Sequence, residues 1–230
     1  MRGVFTLEYG VYDLLGYNFD IVYLSSQSDF LLSLPKKVMT RLNDFMVCPE
    51  LAPISNYCLE NGTVAKYAKG QSFVDEGSLC RYIAVVRSGY FKFLVIDNNG
   101  DERTTGFSFA GDIVADYVYT FLNSQPSPTN IIAGADSEVL RVPVGEIRAY
   151  LDKVDSEYIA RTANLLLKEA YRRYIDMHRF SPEERYLKLI GRVPGLLTLV
   201  PLRELASYLS VSRRQFQRIR AQTGHLSHDR

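Results

Sequence analysis

The chain has 230 residues, 47% of them hydrophobic and 23% charged, and a formal net charge of +1; this ordinary globular composition excludes collagen-like, disulfide-framework and wholly disordered classes. A chain this long holds one large domain or two small ones, and two is the better expectation. The net charge hides an asymmetry, because residues 1–150 hold 12 Lys and Arg against 17 Asp and Glu while residues 181–230 hold 9 against 4, which points to nucleic acid or another polyanion as a partner of the C-terminal end alone.

Residues 1–38 carry Tyr9, Tyr12, Tyr17, Phe19 and Tyr23. They read either as an extension packed on the next domain or as an upstream start ahead of Met39. Asp13 and Asp20 break the most apolar stretch, so neither a membrane span nor a signal peptide is expected, and a cytoplasmic protein is. Cys48, Cys58 and Cys80 lack C-x-x-C spacing and a nearby histidine, so buried free thiols are expected rather than a metal site or disulfides.

From residue 64 to 143 short apolar runs alternate with Gly70, Gly77, Gly89, Gly100, Gly106 and Gly111, the spacing of an all-β domain. Residues 82–86 and 90–96 are rich in aromatic and β-branched side chains, and Phe91, Phe93 and Val95 should share an inward face. Asp97-Asn98-Asn99-Gly100-Asp101 predicts a hairpin turn into residues 102–108. A second pair, residues 130–135 and 137–142, follows a loop with Pro126 and Pro128. Six or seven such strands close most economically as a jelly roll. All three histidines, His178, His225 and His228, lie outside residues 1–150, which argues against a cupin-like metal enzyme and a His-ligated haem; Cys, Met or Tyr ligation stays open, and the cofactor is unknown.

Between residues 156 and 177, Ile159, Ala163, Leu166, Ala170, Tyr174 and Met177 recur at helical spacing. This narrow stripe suits a partner helix or the chain's own roll; Ile159, Ala163, Leu166, Ala170 and Met177 form the candidate dimer seam. Ser181-Pro182-Glu183-Glu184 has the residues of a capping box, so one helix ends and another starts there. Residues 201–222 then read as two short helices at a tight turn, with Ala206 at their crossing and Leu205, Leu209, Val211, Phe216 and Ile219 buried. Ser212-x-x-Gln215 caps the second helix, and Arg214, Gln217, Arg218 and Ala221 fall opposite Phe216 and Ile219. Such a face suits the major groove. Arg213 and Arg220 are phosphate contacts or plain solvated charges, Arg214 and Arg218 candidate guanine readers, and Gln217 an adenine reader or a filler of the face.

In that order, roll, long helix, capped hinge and helix-turn-helix, the chain from about residue 40 to 222 resembles the CRP/FNR family of bacterial transcription regulators. The likeness rests on AKGQSFVDEGSLCRYIAVVRSGYFKFLV (68–95), on Gly111-Asp112 with SEVLRV (137–142), and on the 201–222 motif. It implies an α+β chain with an N-terminal double-stranded β-helix or jelly roll of the cyclic-nucleotide-binding kind, a long dimerisation helix and a C-terminal winged-helix-like helix-turn-helix domain. The expected divisions are residues 1–38, 39–150 (sensor roll), 151–180 (dimerisation helix and hinge) and 181–230 (DNA binding). Expected partners are double-stranded DNA, a second copy of the chain, RNA polymerase and an unknown small-molecule effector.

Three departures narrow what the resemblance implies. Gly111-Asp112 stands for the family's Gly-Glu turn, but Ser127-Pro128-Thr129 stands where an Arg-Ser or Arg-Thr pair grips a cyclic phosphate, so cyclic AMP lacks a counter-charge. Gly111, Asp112 and Thr129 remain the candidate effector contacts. The three cysteines do not match an iron–sulfur sensor. Ser210 occupies the usual glycine turn position, and only eight residues follow Gln222, leaving room for a rudimentary wing. The expected function is a homodimeric regulator without catalysis, reading a palindromic promoter site through Ser212, Arg213, Arg214, Gln217, Arg218 and Arg220. The rivals are an effector-binding or protein-interaction module with vestigial DNA binding and a small-ligand enzyme on the roll, against which the missing nucleophile–base pair argues.

Overall fold

A computed structural model of the chain describes residues 42–155, 157–193 and 195–224; the expectations for residues 1–38, and for most of the segment after Gln222, lie outside them. Eight strands follow in chain order: β1 (Thr63–Tyr67), β2 (Ser72–Val74), β3 (Tyr82–Ser88), β4 (Tyr90–Ile96), β5 (Glu102–Phe109), β6 (Ile113–Val114), β7 (Asn130–Ala133) and β8 (Ser137–Pro143). They pair antiparallel as two four-stranded sheets, in the orders β1-β8-β3-β6 and β2-β7-β4-β5. The inner faces bury Ile83, Val86, Phe91 and Ile131. Helices α1 (Ala52–Asn61) and α2 (Val144–Val154) close this core with Ile54, Ile147 and Leu151. The mixed α+β fold with an antiparallel β-roll is the expected one.

The turn between β4 and β5 forms as its sequence dictates. The Asp97 carboxylate accepts from the Asn99 and Asp101 amides at 2.9 and 3.0 Å, and Gly100 takes a positive φ of 82°. In the strand before it Phe91 and Phe93 pack on the core of the roll, as the alternation predicts, and Val95 is half-buried. The register shift beside Phe93 and Leu94 leaves Thr105 of β5 as the extra residue, while β4 keeps regular register with β7, and Leu94 is buried on the opposite face. Lys92, on that same face, is 8% exposed, because this sheet is covered on both sides.

The cover is helical. Helix α3 (Tyr158–Arg179) runs along the roll, and Ser181 starts α4 (Pro182–Arg192), followed by α5 (Leu196–Leu199), α6 (Leu202–Tyr208) and α7 (Arg213–Gly224). Both halves of the capping box are present: Ser181 Oγ accepts from the Glu184 amide at 3.2 Å, and the Glu184 carboxylate accepts from the Ser181 amide at 2.8 Å. The helices bury Tyr186, Leu189, Leu196, Leu205, Phe216 and Ile219 in one cluster with Tyr90, Phe107 and Phe109 of β4 and β5. A Cβ on Gly134 would sit 2.0 Å from the Tyr90 ring, so glycine there lets this aromatic lie flat and point its hydroxyl at α6. Among the described residues no helix is long and apolar enough to cross a membrane, and no group of His, Cys, Asp or Glu is placed to hold a metal ion.

Candidate functional site

Helices α6 and α7 meet at a turn whose central residue, Ser210, has φ 56°, the left-handed region where glycine costs less. The turn is held by the Ser210 amide donating to Ser207 O at 2.9 Å and the Val211 amide to Ala206 O at 3.0 Å. Ser212 Oγ accepts from the Gln215 amide at 3.1 Å, which sets the start of α7. Phe216, Ile219 and Thr223 turn inward, and Phe216 meets Tyr186 edge-on at 5.4 Å. The sequence-derived phase of the helix matches. Ser212, Arg213, Arg214, Gln217 and Arg218 are exposed, and Arg220 is half-buried. Among the described residues no carboxylate pairs with Arg213, Arg214, Arg218 or Arg220.

Helix α3 has three environments. Tyr158 and Thr162 are buried against the roll. Leu166 lines a cavity. The exposed apolar face carries Leu167 at 69%, Tyr171 at 63%, Tyr174 at 59% and Met177 at 54% exposure, with Ala170 exposed and Ala163 half-buried between them. Of the candidate seam residues, Ile159, Ala170 and Met177 are exposed, Ala163 is half-buried, and Leu166 is half-buried and lines the cavity, while Leu167 and Tyr171 stand exposed beside them. Three leucines stand in a row at 165–167, and spacing alone does not choose among them.

The cavity, of about 320 Å³, lies between the roll and α3. Phe45, Met46 and Leu51 cover one side, Phe93, Ile113 and Ala115 form the sheet wall, and Leu166 comes from α3. A single π-type turn, Tyr117–Leu122, contributes Tyr117, Val118 and Tyr119, and the loop before β7 contributes Pro128 and Thr129. Asp116, 8% exposed, starts that turn by accepting from the Tyr119 amide at 3.1 Å and from Thr120 Oγ at 3.4 Å. The Tyr117 hydroxyl donates to Thr162 Oγ of α3 at 2.7 Å, and burial pushes its phenol up to about 12. Ser127 fixes the loop, its hydroxyl donating to Thr129 O at 2.8 Å.

Of the expected effector contacts, Thr129 lines this cavity and Gly111 and Asp112 do not. Gly111 supplies the β5–β6 turn with φ 88°. Asp112 is 2% exposed and accepts from Asn43 Nδ2 at 2.8 Å and from the Phe109 amide at 3.0 Å. Asn43 in turn accepts from Arg173 of α3 at 2.9 Å, so Asp112 ties the roll to the long helix. The carboxylate at the cavity is Asp116, four residues on, signalled in sequence only as an Asp preceding a helical turn. On α3, burial opposes ionisation of Glu169, yet the guanidinium groups of Arg172 and Arg173 hold its carboxyl below the usual range. Burial pushes the thiols of Cys58 and Cys80 up to about 12 and about 11, whereas Cys48 is half-buried.

A polar bridge that the sequence did not reveal joins β4 to α6. Lys92 Nζ lies 3.1 Å from Glu204 and 3.2 Å from Glu102, and the Tyr90 hydroxyl donates to Glu204 at 3.1 Å. The Thr104 amide donates to Ser207 Oγ at 2.9 Å. Helix α7 is thus carried on a frame docked to the roll.

Residues 64–154 match the cyclic nucleotide-binding domain family. Among solved structures, FixK2 from Bradyrhizobium japonicum aligns with a TM-score of 0.60 at 17% identity, over 72% of this chain and 86% of that one. The c-di-GMP responsive global regulator CLP of Xanthomonas campestris aligns at 0.54 and 12% identity, over 76% and 92%. A putative cAMP-binding regulatory protein from Silicibacter pomeroyi DSS-3 aligns at 0.53 and 15% identity, over 74% and 79%. No curated protein matches in sequence.

Proposed function

Since the chain carries a cyclic nucleotide-binding domain over residues 64–154 and the fold of CRP/FNR-type regulators, we propose that it is a DNA-binding transcription regulator that works as a homodimer in the cytoplasm and performs no catalysis. The observation that carries this reading is the outward face of α7, where Arg213, Arg214, Gln217 and Arg218 stand exposed and, among the described residues, unpaired on a helix capped by Ser212. A helix presenting guanidinium and amide groups along one side matches the hydrogen-bonding pattern of base edges in the major groove. Phosphates lie along both rims, within reach of Arg213 and Arg220.

The exposed Leu167, Tyr171, Tyr174 and Met177 of α3 supply the apolar face that a second copy covers. A two-fold pair of α7 helices then demands two half-sites about 34 Å apart, and hence a palindrome. The cavity beside α3 is the effector site, and RNA polymerase is the partner through which promoter binding becomes regulation. Footprinting on genomic fragments, with and without a cell extract, tests the whole reading. Protection of a palindrome that responds to the extract is the expected result. Binding that does not discriminate between genomic and random DNA at any salt concentration overturns it.

A further inference from the structure

We propose that the cavity between the roll and α3 takes a non-anionic, ring-sized apolar molecule carrying one hydrogen-bond donor, received by Asp116. The inference deepens the reading of this cavity as the effector site and rests on it for its regulatory consequence, though not for its chemistry.

Size comes first. A volume of about 320 Å³ falls at the small end of ligand cavities, enough for one or two fused rings. The walls come next. Phe45, Met46, Phe93, Ile113, Val118 and Leu166 present only carbon and sulfur, and such surfaces offer a water molecule few partners. Charge decides the class. Among the described residues lining the cavity there is no Lys, Arg or His, so a phosphate or carboxylate entering it would lose water without gaining a cationic partner. It would also meet Asp116, a like charge at 8% exposure.

The polar handle is Asp116 itself. A carboxylate has about four acceptor sites; the Tyr119 amide fills one, and the Thr120 hydroxyl, 3.4 Å away, also has Gln125 O as an acceptor at 3.0 Å. A buried acceptor with spare capacity favours a ligand that brings an N–H or O–H and penalises one that brings only another acceptor. Because Leu166 forms one wall and Leu167 is the next residue on the exposed face of α3, the occupant touches the helix that would pair two copies.

Three size-matched bicyclic probes separate these requirements on the full chain, by calorimetric titration and by shift of the thermal midpoint. They are 2-naphthol (donor, neutral), 2-methoxynaphthalene (no donor) and 2-naphthoate (anion), with cyclic AMP as a fourth. 2-Naphthol should bind at least tenfold more tightly than the other three. Leu166→Phe narrows the cavity and should weaken 2-naphthol at least tenfold with the midpoint of the unliganded protein retained. Asp116→Asn keeps an oxygen for the Tyr119 amide and turns the remaining group into a donor, so it should abolish the preference for 2-naphthol over 2-methoxynaphthalene. Thr129→Arg adds a cation at the half-buried rim and should bring 2-naphthoate up at least tenfold.

Tighter binding of 2-naphthoate or cyclic AMP than of 2-naphthol, affinities unmoved by Leu166→Phe, or no binding of any probe at about 1 mM overturns the proposal. Operator affinity is read in parallel. Discriminating binding that leaves DNA affinity unchanged refutes the effector reading and upholds the ligand class; failure of the binding series alone leaves DNA recognition by α7 standing.

Discussion

Lys92 and Glu204 allow the docking of α6 on the roll to be tested by number. The two side chains are each 10% exposed and meet at 3.1 Å, whereas Glu102, the other partner of Lys92, is 47% exposed. Replacing Lys92 with Met leaves the Glu204 carboxylate buried with only the Tyr90 hydroxyl donating to it. Halving a buried pair costs about 3–5 kcal/mol, and the retained hydroxyl places Lys92→Met near the lower end, about 3 kcal/mol. Glu204→Gln should cost less, about 1 kcal/mol, because Lys92 keeps Glu102 and the amide oxygen still accepts from Tyr90. The double variant should fall short of the combined single losses by about 1–2 kcal/mol, the coupling of groups that share a contact.

For a chain of this size about 3 kcal/mol corresponds to roughly 6–12 °C in Tm. Urea and thermal unfolding of the full chain measure both quantities. Hydrogen exchange at the Thr104 amide, which donates to Ser207 Oγ across the same interface, reports undocking directly. A loss below about 0.5 kcal/mol for Lys92→Met, the value of an exposed pair, with Thr104 exchange unchanged, would refute the docked arrangement.

On α3, Leu167→Glu should yield a folded monomer of 26.2 kDa by sedimentation where the parent sediments at about twice that mass; a parent that is monomeric at micromolar concentration refutes the seam. On α7, Arg214→Ala and Arg218→Ala should each cost about 1–3 kcal/mol on the specific site and much less on random DNA. Arg213→Ala should instead weaken both and lower the salt slope by about one per reading head, and equal losses on both DNAs for all three would mean that the helix is phased differently on the groove. Alkaline stability should follow the thiols: burial pushes Cys58 to about 12 and Cys80 to about 11 from 9.0, so the unfolded chain ionises first. Their contribution is whole below pH 9 and is lost as pH rises towards 11–12, by about 1.4 kcal/mol per pH unit per thiol. Cys58→Ala should flatten that fall, and an unfolding midpoint that is constant from pH 8 to about 10.5 would contradict the burial.

Sequence alone determined those features whose causes lie within a few residues. The Ser181–Glu184 box, the Asp97–Asp101 turn and the cap of α7 by Ser212 are local hydrogen bonds written in short side chains. The phase of α7 was also legible, because Phe216 and Ile219 are the apolar residues on one side of an otherwise polar helix. Tertiary packing decided the rest. Which of Leu165, Leu166 and Leu167 faces the roll depends on where the Tyr117–Leu122 turn presses against α3. Asp112 and Asp116 both stand beside short turns, but Asn43, 69 residues from Asp112 in the chain, bridges the first to Arg173 of α3, while the second lines the cavity. Lys92 reads as an outward residue of a half-buried strand until α6, more than a hundred residues later, brings Glu204 over it. The physical reason is one of range: a cap or turn closes its hydrogen bonds over three or four residues, whereas burial and pairing belong to surfaces that meet only after the chain has folded back on itself.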